Sequence, residues 1–171
     1  MIKIQDNFLP NAAYHQISTF FQSNNVPWYY EMAITDVEPA HIDNYQLVHP
    51  ILNTSHFQPP SPFLENLKPL LNHIPVVNYY IRIKLNLNPR TPKPYYSGWH
   101  TDTLTDNTTS IYYLNDNNGG TQFEGGMFVE SVGNRFVTFP SRVKHRGVSA
   151  TDVKARFVCN LNYAEPLENM T

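Results

Sequence analysis

Cysteine is nearly absent. The 171-residue chain has one, Cys159, so no internal disulfide is open to it and nothing speaks for an oxidising compartment. Charge is scarce as well: Asp, Glu, Lys and Arg make up 15% of the residues, and the net charge is −2. About a quarter is ordinary for a globular chain, and this balance gives no overall basic footprint for nucleic acid. No run approaches the roughly 18 apolar residues of a membrane span. The opening Met1-Ile2-Lys3-Ile4-Gln5-Asp6 lacks the apolar core of a signal peptide. The expectation is a soluble, cytoplasmic protein. Long helices are excluded too, because 14 prolines interrupt the chain; a coiled coil or helical bundle does not fit. There is no internal repeat, low-complexity tract or visible domain boundary.

What is present is apolar and aromatic. Hydrophobic residues reach 41% and aromatics 13%, with 11 Tyr and 10 Phe, which excludes global disorder. A chain of this length buries roughly 70% of its unfolded surface in one core. The expectation is one domain over 1–171, with helical support over 1–75 and a β core over 76–165.

Ile2, Ile4 and Phe8 suggest a short edge strand. Ala13, Tyr14, Ile17, Phe20 and Phe21 recur at helical spacing and predict a helix over 10–22, with Pro10 in its first turn. A strand is expected to begin at Trp28-Tyr29-Tyr30. Residues 36–60 have no clean period and read as loop with short strands. Phe63, Leu64, Leu67, Leu70 and Leu71 predict a second helix over 62–72, with Ser61 as N-cap and Pro62 at its first position. From residue 76 the period becomes two. Val77, Tyr79, Ile81, Ile83, Leu85 and Leu87 alternate with polar residues, predicting a long half-buried strand. Further strands are expected at 109–114, 121–123, 127–132, 134–139 and 154–163, with Asn115–Gly120 as a hairpin connection. Short strands with frequent turns argue for a double-sheet jelly roll with helices outside. The proline-rich stretch 89–94 reads as a loop at the mouth of a site.

Several residues can carry chemistry. In an extended His100-Thr101-Asp102, the two outer side chains point the same way and can share a metal ion. Alone this spacing is weak, and a loop histidine beside a capping Asp explains it equally. His145 lies further on, and two His with one carboxylate make the facial triad of non-haem Fe(II) oxygenases. Arg156 sits in the apolar strand Ala155-Arg156-Phe157-Val158-Cys159. A buried Arg needs an anion, and its planar fork suits a carboxylate; the alternative is an Arg on the outside of the sheet with its head in water. Six cations (Arg135, Arg142, Lys144, Arg146, Lys154, Arg156) face only Asp152 over 135–156. That stretch is either a solvated loop or a recruiter of an anionic substrate, nucleotide or acidic peptide included. Tyr95, Tyr96 and Trp99 stand beside the first candidate ligand, as a cover for substrate or as a plug. His15, His41, His49, His56 and His73 read as structural or surface residues, and Cys159 as a small buried hydrophobe.

The order His100-x-Asp102, His145, Arg156 resembles the 2-oxoglutarate- and Fe(II)-dependent dioxygenases, in particular their prolyl-4-hydroxylase-like branch. Ser110-Ile111-Tyr112-Tyr113-Leu114-Asn115 followed by Gly119-Gly120 is similar to the strand after the His-x-Asp in prolyl hydroxylases, and Asp6-Asn7-Phe8-Leu9-Pro10 resembles the family's N-terminal entry. The Asn abundance and compactness resemble small phage-encoded members. The resemblance implies a double-stranded β-helix. It implies Fe(II) held by His100, Asp102 and His145. It also implies 2-oxoglutarate held by Arg156, with help from the Tyr113 hydroxyl and Asn86, and dioxygen as co-substrate. The implied activity is hydroxylation of a small molecule or prolyl peptide, with release of succinate and CO2. Two departures stand out: Asn88-Pro89 replaces the relatives' Tyr-Pro, and the interval from His145 to Arg156 is slightly long. Two rival readings remain at this level. One is a non-catalytic jelly-roll binding or structural module; the other is a cupin-type metalloenzyme that does not use 2-oxoglutarate.

Overall fold

A computed structural model describes residues 1–35, 41–55, 59–103 and 105–166. His56 lies outside these described residues, as does part of the expected 36–60 loop. Ten strands and two helices are seen: β1 (Lys3–Gln5), α1 (Asn11–Phe21), β2 (Tyr29–Glu31), β3 (Gln46–Asn53), α2 (Leu64–Leu71), β4 (Tyr79–Pro89), β5 (Thr108–Tyr113), β6 (Asn117–Phe123), β7 (Phe128–Ser131), β8 (Phe136–Pro140), β9 (His145–Val148) and β10 (Ala155–Ala164). They form a seven-stranded antiparallel sheet, β1-β8-β5-β10-β4-β3-β2, and a three-stranded sheet, β7-β6-β9. This is the expected jelly roll. Among the described residues no helix is long and apolar enough to cross a membrane.

Two cores follow from the period-two alternation of the strands. On the outer face of the large sheet, Ile83 and Leu85 of β4 and Cys159 and Leu161 of β10 pack with Ile17 and Phe21 of α1 and Leu67 and Leu70 of α2. Between the sheets, Ile111, Tyr113, Val137, Phe139 and Val158 meet Phe123 and Val129 of the small sheet. Full burial of Leu67 or Phe21 stabilises the fold by roughly 2–3 kcal/mol each. Cys159 is wholly buried, as expected, and burial pushes its thiol pKa up.

The structure differs from the sequence reading in instructive places. Residues 36–60 contain the eight-residue β3, concealed by Pro50 and by the buried polar Gln46 and His49; the register slips between Pro50 and Leu52. Residues 1–75 thus supply three strands of the large sheet besides the helices. Pro10 is the N-cap of α1 rather than part of its first turn. Helix α2 starts at Leu64, and Ser61 instead accepts from Phe63 N–H at 3.2 Å in the preceding turn. The stretch Asn115–Gly120 is no hairpin, for it carries the chain from the large sheet to the small one, and β6 begins at Asn117. Glycine is required there: a Cβ on Gly119 would lie 2.7 Å from Val148 O and 2.9 Å from Ser149 C. The slightly long interval after His145 is a loop pinned to β6, with Asn118 Oδ1 accepting from Thr151 N–H at 2.8 Å and Asn118 N–H donating to Asp152 Oδ1 at 3.1 Å.

Candidate metal centre and cavity

The polar face of β4 is buried at Asn86 and Asn88 and half-buried at Arg82 and Lys84. Arg82, Lys84, Asn86 and Asn88 line a cavity of about 180 Å³ between the sheets. Its wall also holds Arg156 and Asn160 of β10, Thr121 of β6 and His145 of β9. His100 and Asp102 close it from the segment between β4 and β5.

Within this cavity the donor atoms of His100, Asp102 and His145 all lie within 4.8 Å of one another. His145 Nε2 is 4.0 Å from Asp102 Oδ2. The two imidazoles are oriented alike. His145 Nδ1 donates to Val143 O at 3.0 Å, and His100 Nδ1 donates to Gly98 O at 3.2 Å. A carbonyl can only accept, so each Nδ1 carries a proton, and the tautomer of the neutral ring that this selects has its lone pair on Nε2, the nitrogen that can face a cation. Burial lowers the pKa of His145, against the pull of Asp102, which favours the neutral, ligating form.

Asp102 is held from several sides. Arg82 Nη2 donates to Oδ1 at 3.1 Å, while Thr109 Oγ1 at 2.8 Å and Asn162 Nδ2 at 3.2 Å donate to Oδ2. A carboxylate offers about four lone-pair directions, so one remains for a metal. Burial pushes the Asp102 carboxyl up, but His145, Arg82 and the Thr109 hydrogen bond together bring it below the ordinary carboxylate value. Two imidazole nitrogens and a carboxylate oxygen form an N,N,O set that suits Fe(II) and leaves coordination positions open.

Arg156 is only 5% exposed, yet no carboxylate pairs with it among the described residues. Its guanidinium donates to Asn88 Oδ1 at 3.1 Å and Thr121 Oγ1 at 3.4 Å, and it stands 5.5 Å from the Tyr113 ring centroid. Its Nε–H has no partner. Burial therefore works against its charge, and the Tyr113 contact only partly offsets this. Asn86 reaches the cavity, and its buried Oδ1 makes no hydrogen bond. Tyr113 sits behind the wall, with its hydroxyl donating to Thr121 Oγ1 at 2.8 Å. Asn88 touches Arg156 directly. Sequence reading missed Arg82, Asn88, Thr109, Thr121 and Asn162. One signal was available: asparagine is a poor strand former, yet it recurs on one face of both β4 and β10.

The remaining candidates separate. Tyr95 faces the cavity, whereas Tyr96 and Trp99 flank Arg146, whose guanidinium carbon lies 4.7 and 4.3 Å from their ring centroids. The basic stretch is dispersed: Arg135 pairs with Asp6, Arg142 with Asp106 and Lys144 with Glu124. His49 is structural, with Nδ1 donating to Pro27 O at 2.7 Å and Nε2 accepting from Ser61 Oγ at 2.8 Å. His73 packs edge-on against Phe8, His41 stacks on Tyr95, and His15 lies beside Tyr14.

No protein-family model matches the sequence. A search of curated proteins also finds no match. Solved structures do match. A Trichoplax adhaerens prolyl hydroxylase in complex with a hypoxia inducible factor peptide fragment superposes with TM-score 0.66 and 15% identity, over 96% of this chain and 83% of that one. A Burkholderia pseudomallei oxidoreductase of the 2OG-Fe(II) oxygenase family gives TM-score 0.67 and 13% identity, over 95% and 84%. HygX from Streptomyces hygroscopicus, with nickel and 2-oxoglutarate bound, gives TM-score 0.61 and 10% identity, over 97% and 83%. What is shared at such identities is the architecture: this chain has the double-stranded β-helix fold of the 2-oxoglutarate/Fe(II) oxygenases.

Proposed function

We propose that this chain is a single-domain Fe(II)- and 2-oxoglutarate-dependent oxygenase that hydroxylates a small molecule or a prolyl peptide. One observation carries the reading: a buried Arg156 with no counter-ion among the described residues shares a cavity with the His100–Asp102–His145 cluster. An unpaired buried guanidinium is costly, and the distal carboxylate of 2-oxoglutarate would supply an anion of the kind its planar fork suits. His100, Asp102 and His145 would hold the metal, which when bound supplies dioxygen activation coupled to decarboxylation of 2-oxoglutarate to succinate and CO2.

The chain's own groups divide the remaining work. Thr109, Asn162 and Arg82 fix the Asp102 carboxylate, and the carbonyls of Gly98 and Val143 fix the imidazoles. Arg156 orients the co-substrate, and Asn86 stands on the same wall. Ile111 and Val158 exclude water from part of the cavity. The peptide in the Trichoplax complex supports a peptide among the candidate substrates. A cupin-type enzyme without 2-oxoglutarate gives no reason for Arg156, and a binding module gives none for the metal cluster.

The test is an anaerobic titration of metal-free protein with Fe(II), then 2-oxoglutarate. A visible charge-transfer band from the chelated 2-oxo acid, abolished by His100→Ala, is expected. Iron binding without the band would favour the cupin-type reading, and no specific iron binding would favour the binding module. Succinate release then screens substrates.

A further inference from the structure

Arg156 is the inner end of a chain of side-chain hydrogen bonds that crosses four strands. Glu31 on β2 accepts from Gln46 Nε2 on β3 at 2.8 Å through its Oε2. Gln46 Oε1 accepts from Asn88 Nδ2 on β4 at 3.3 Å. Asn88 Oδ1 accepts from Arg156 Nη1 on β10 at 3.1 Å. The order of strands β2-β3-β4-β10 in the sheet places these four residues side by side.

The direction of each bond is dictated from both ends, because a carboxylate only accepts and a guanidinium only donates. A carboxylate only accepts, so Gln46 must turn its NH2 to Glu31. Its carbonyl oxygen then faces Asn88, which must present its own NH2 and so points its carbonyl oxygen at Arg156. Reversing either amide would place two donors or two acceptors against each other in a buried setting, since Gln46 is 3% and Asn88 8% exposed. Lys84 Nζ, 3.5 Å from Glu31 Oε2, adds an ion pair at the outer end but takes no part in this ordering.

Resting on the reading of Arg156 as the carboxylate anchor, we propose that Glu31 and Gln46 are positioning residues for it. Through Asn88 they hold the guanidinium in its cavity-facing pose before 2-oxoglutarate arrives. Glu31 does not line the cavity, whereas Gln46 forms part of its wall and reaches Arg156 through Asn88. Glu31, at the outer end of the chain, lies on an edge strand with a partly exposed side chain.

Three variants separate the possibilities. Gln46→Leu breaks the middle of the chain and leaves the Glu31–Lys84 ion pair. Glu31→Ala removes the outer acceptor. Glu31→Gln keeps a carbonyl acceptor but not the charge. Two readouts are taken. One is the side-chain Nε–H resonance of Arg156 in metal-free, ligand-free protein, assigned by its loss in Arg156→Lys. The other is the calorimetric affinity of Co(II)-loaded protein for 2-oxoglutarate under argon, with Co(II) affinity as the control.

The expected result is a displaced Arg156 resonance and about tenfold weaker 2-oxoglutarate binding in Gln46→Leu and Glu31→Ala. Glu31→Gln stays near wild type, and Co(II) affinity is unchanged throughout. A hydrogen bond to a charged group carries enough energy for an effect of that size. An unmoved resonance in Gln46→Leu and Glu31→Ala overturns the ordering. A moved resonance with affinity within twofold of wild type overturns the positioning role. Equal losses in Glu31→Gln and Glu31→Ala would assign the effect to the ion pair instead and overturn the proposal. If wild-type protein binds Co(II) but no 2-oxoglutarate, the anchor reading of Arg156 fails, and the role of Glu31 and Gln46 toward that ligand falls with it, even where the resonance moves.

Discussion

His100 and His145 hydrogen-bond to each other through their backbones, each N–H donating to the other's carbonyl oxygen at 3.0 Å. This isolated antiparallel pair ties the segment carrying Asp102 to β9, and it brings the imidazole centroids to 4.5 Å. The two histidines are thus spaced by main chain rather than by their own side chains.

Removing one ligand should therefore cost binding rather than fold. His145→Ala and Asp102→Ala are each expected to weaken Co(II) or Fe(II) binding at least ~100-fold and to abolish turnover, since ligand geometry sets metal affinity. Calorimetry on folded protein checks this. Full activity in either variant removes the triad from consideration.

Arg156→Met should raise the stability of ligand-free protein, by about 1–3 kcal/mol, because a similar-sized apolar side chain replaces a buried charge without a carboxylate partner. The same change should weaken 2-oxoglutarate binding more than tenfold while leaving metal binding intact. Urea unfolding and 2-oxoglutarate titration read the two effects. A less stable variant with unchanged affinity would mean that Arg156 serves the fold.

The pKa of His145 is held below its ordinary 6.5 chiefly by burial. The unfolded chain then binds this proton more readily than the folded one, so stability rises with pH across that window. Metal-free protein should lose stability as pH falls below 6.5, levelling off once the folded-state pKa is passed. His145→Phe should flatten this dependence. Denaturant unfolding between about pH 5 and 7.5 decides the matter; equal slopes in the two proteins would contradict it.

Gly119→Ala places a methyl group against the backbone of Val148–Ala150, which cannot rotate away as a side chain can. A cost of about 3 kcal/mol is expected from such overpacking. Because Val148 ends β9, the shift should reach His145 and weaken metal binding as well. A thermal melt paired with a metal titration tests both parts, and an unchanged melting temperature would refute the close approach.

The triad was legible because its three residue types and their order carry the chemistry. The long strand β4 was legible because its alternation is unbroken. What escaped is instructive. Pro50 and the polar Gln46 and His49 hid β3, since burial of Gln46 is made good by Glu31 and Asn88, one before it in sequence and one well beyond. Strand β9 is four residues long and holds Gly147, too short for a period to show. The polar side of β4 reads as solvent-facing in sequence; only the second sheet, folded over it, makes it a cavity wall. The placement of Tyr113 behind Thr121 is likewise a matter of two strands meeting from different sheets.

On β4, Ile83 and Leu85 face the helices while Arg82, Lys84, Asn86 and Asn88 face the cavity. Point changes at the even positions can therefore drift toward new ligands while the helical side of the sheet keeps its packing. A one-residue insertion or deletion has no such freedom, because it exchanges the two faces at a stroke. Descendants of this chain should diversify along β4 by substitution and leave its length alone.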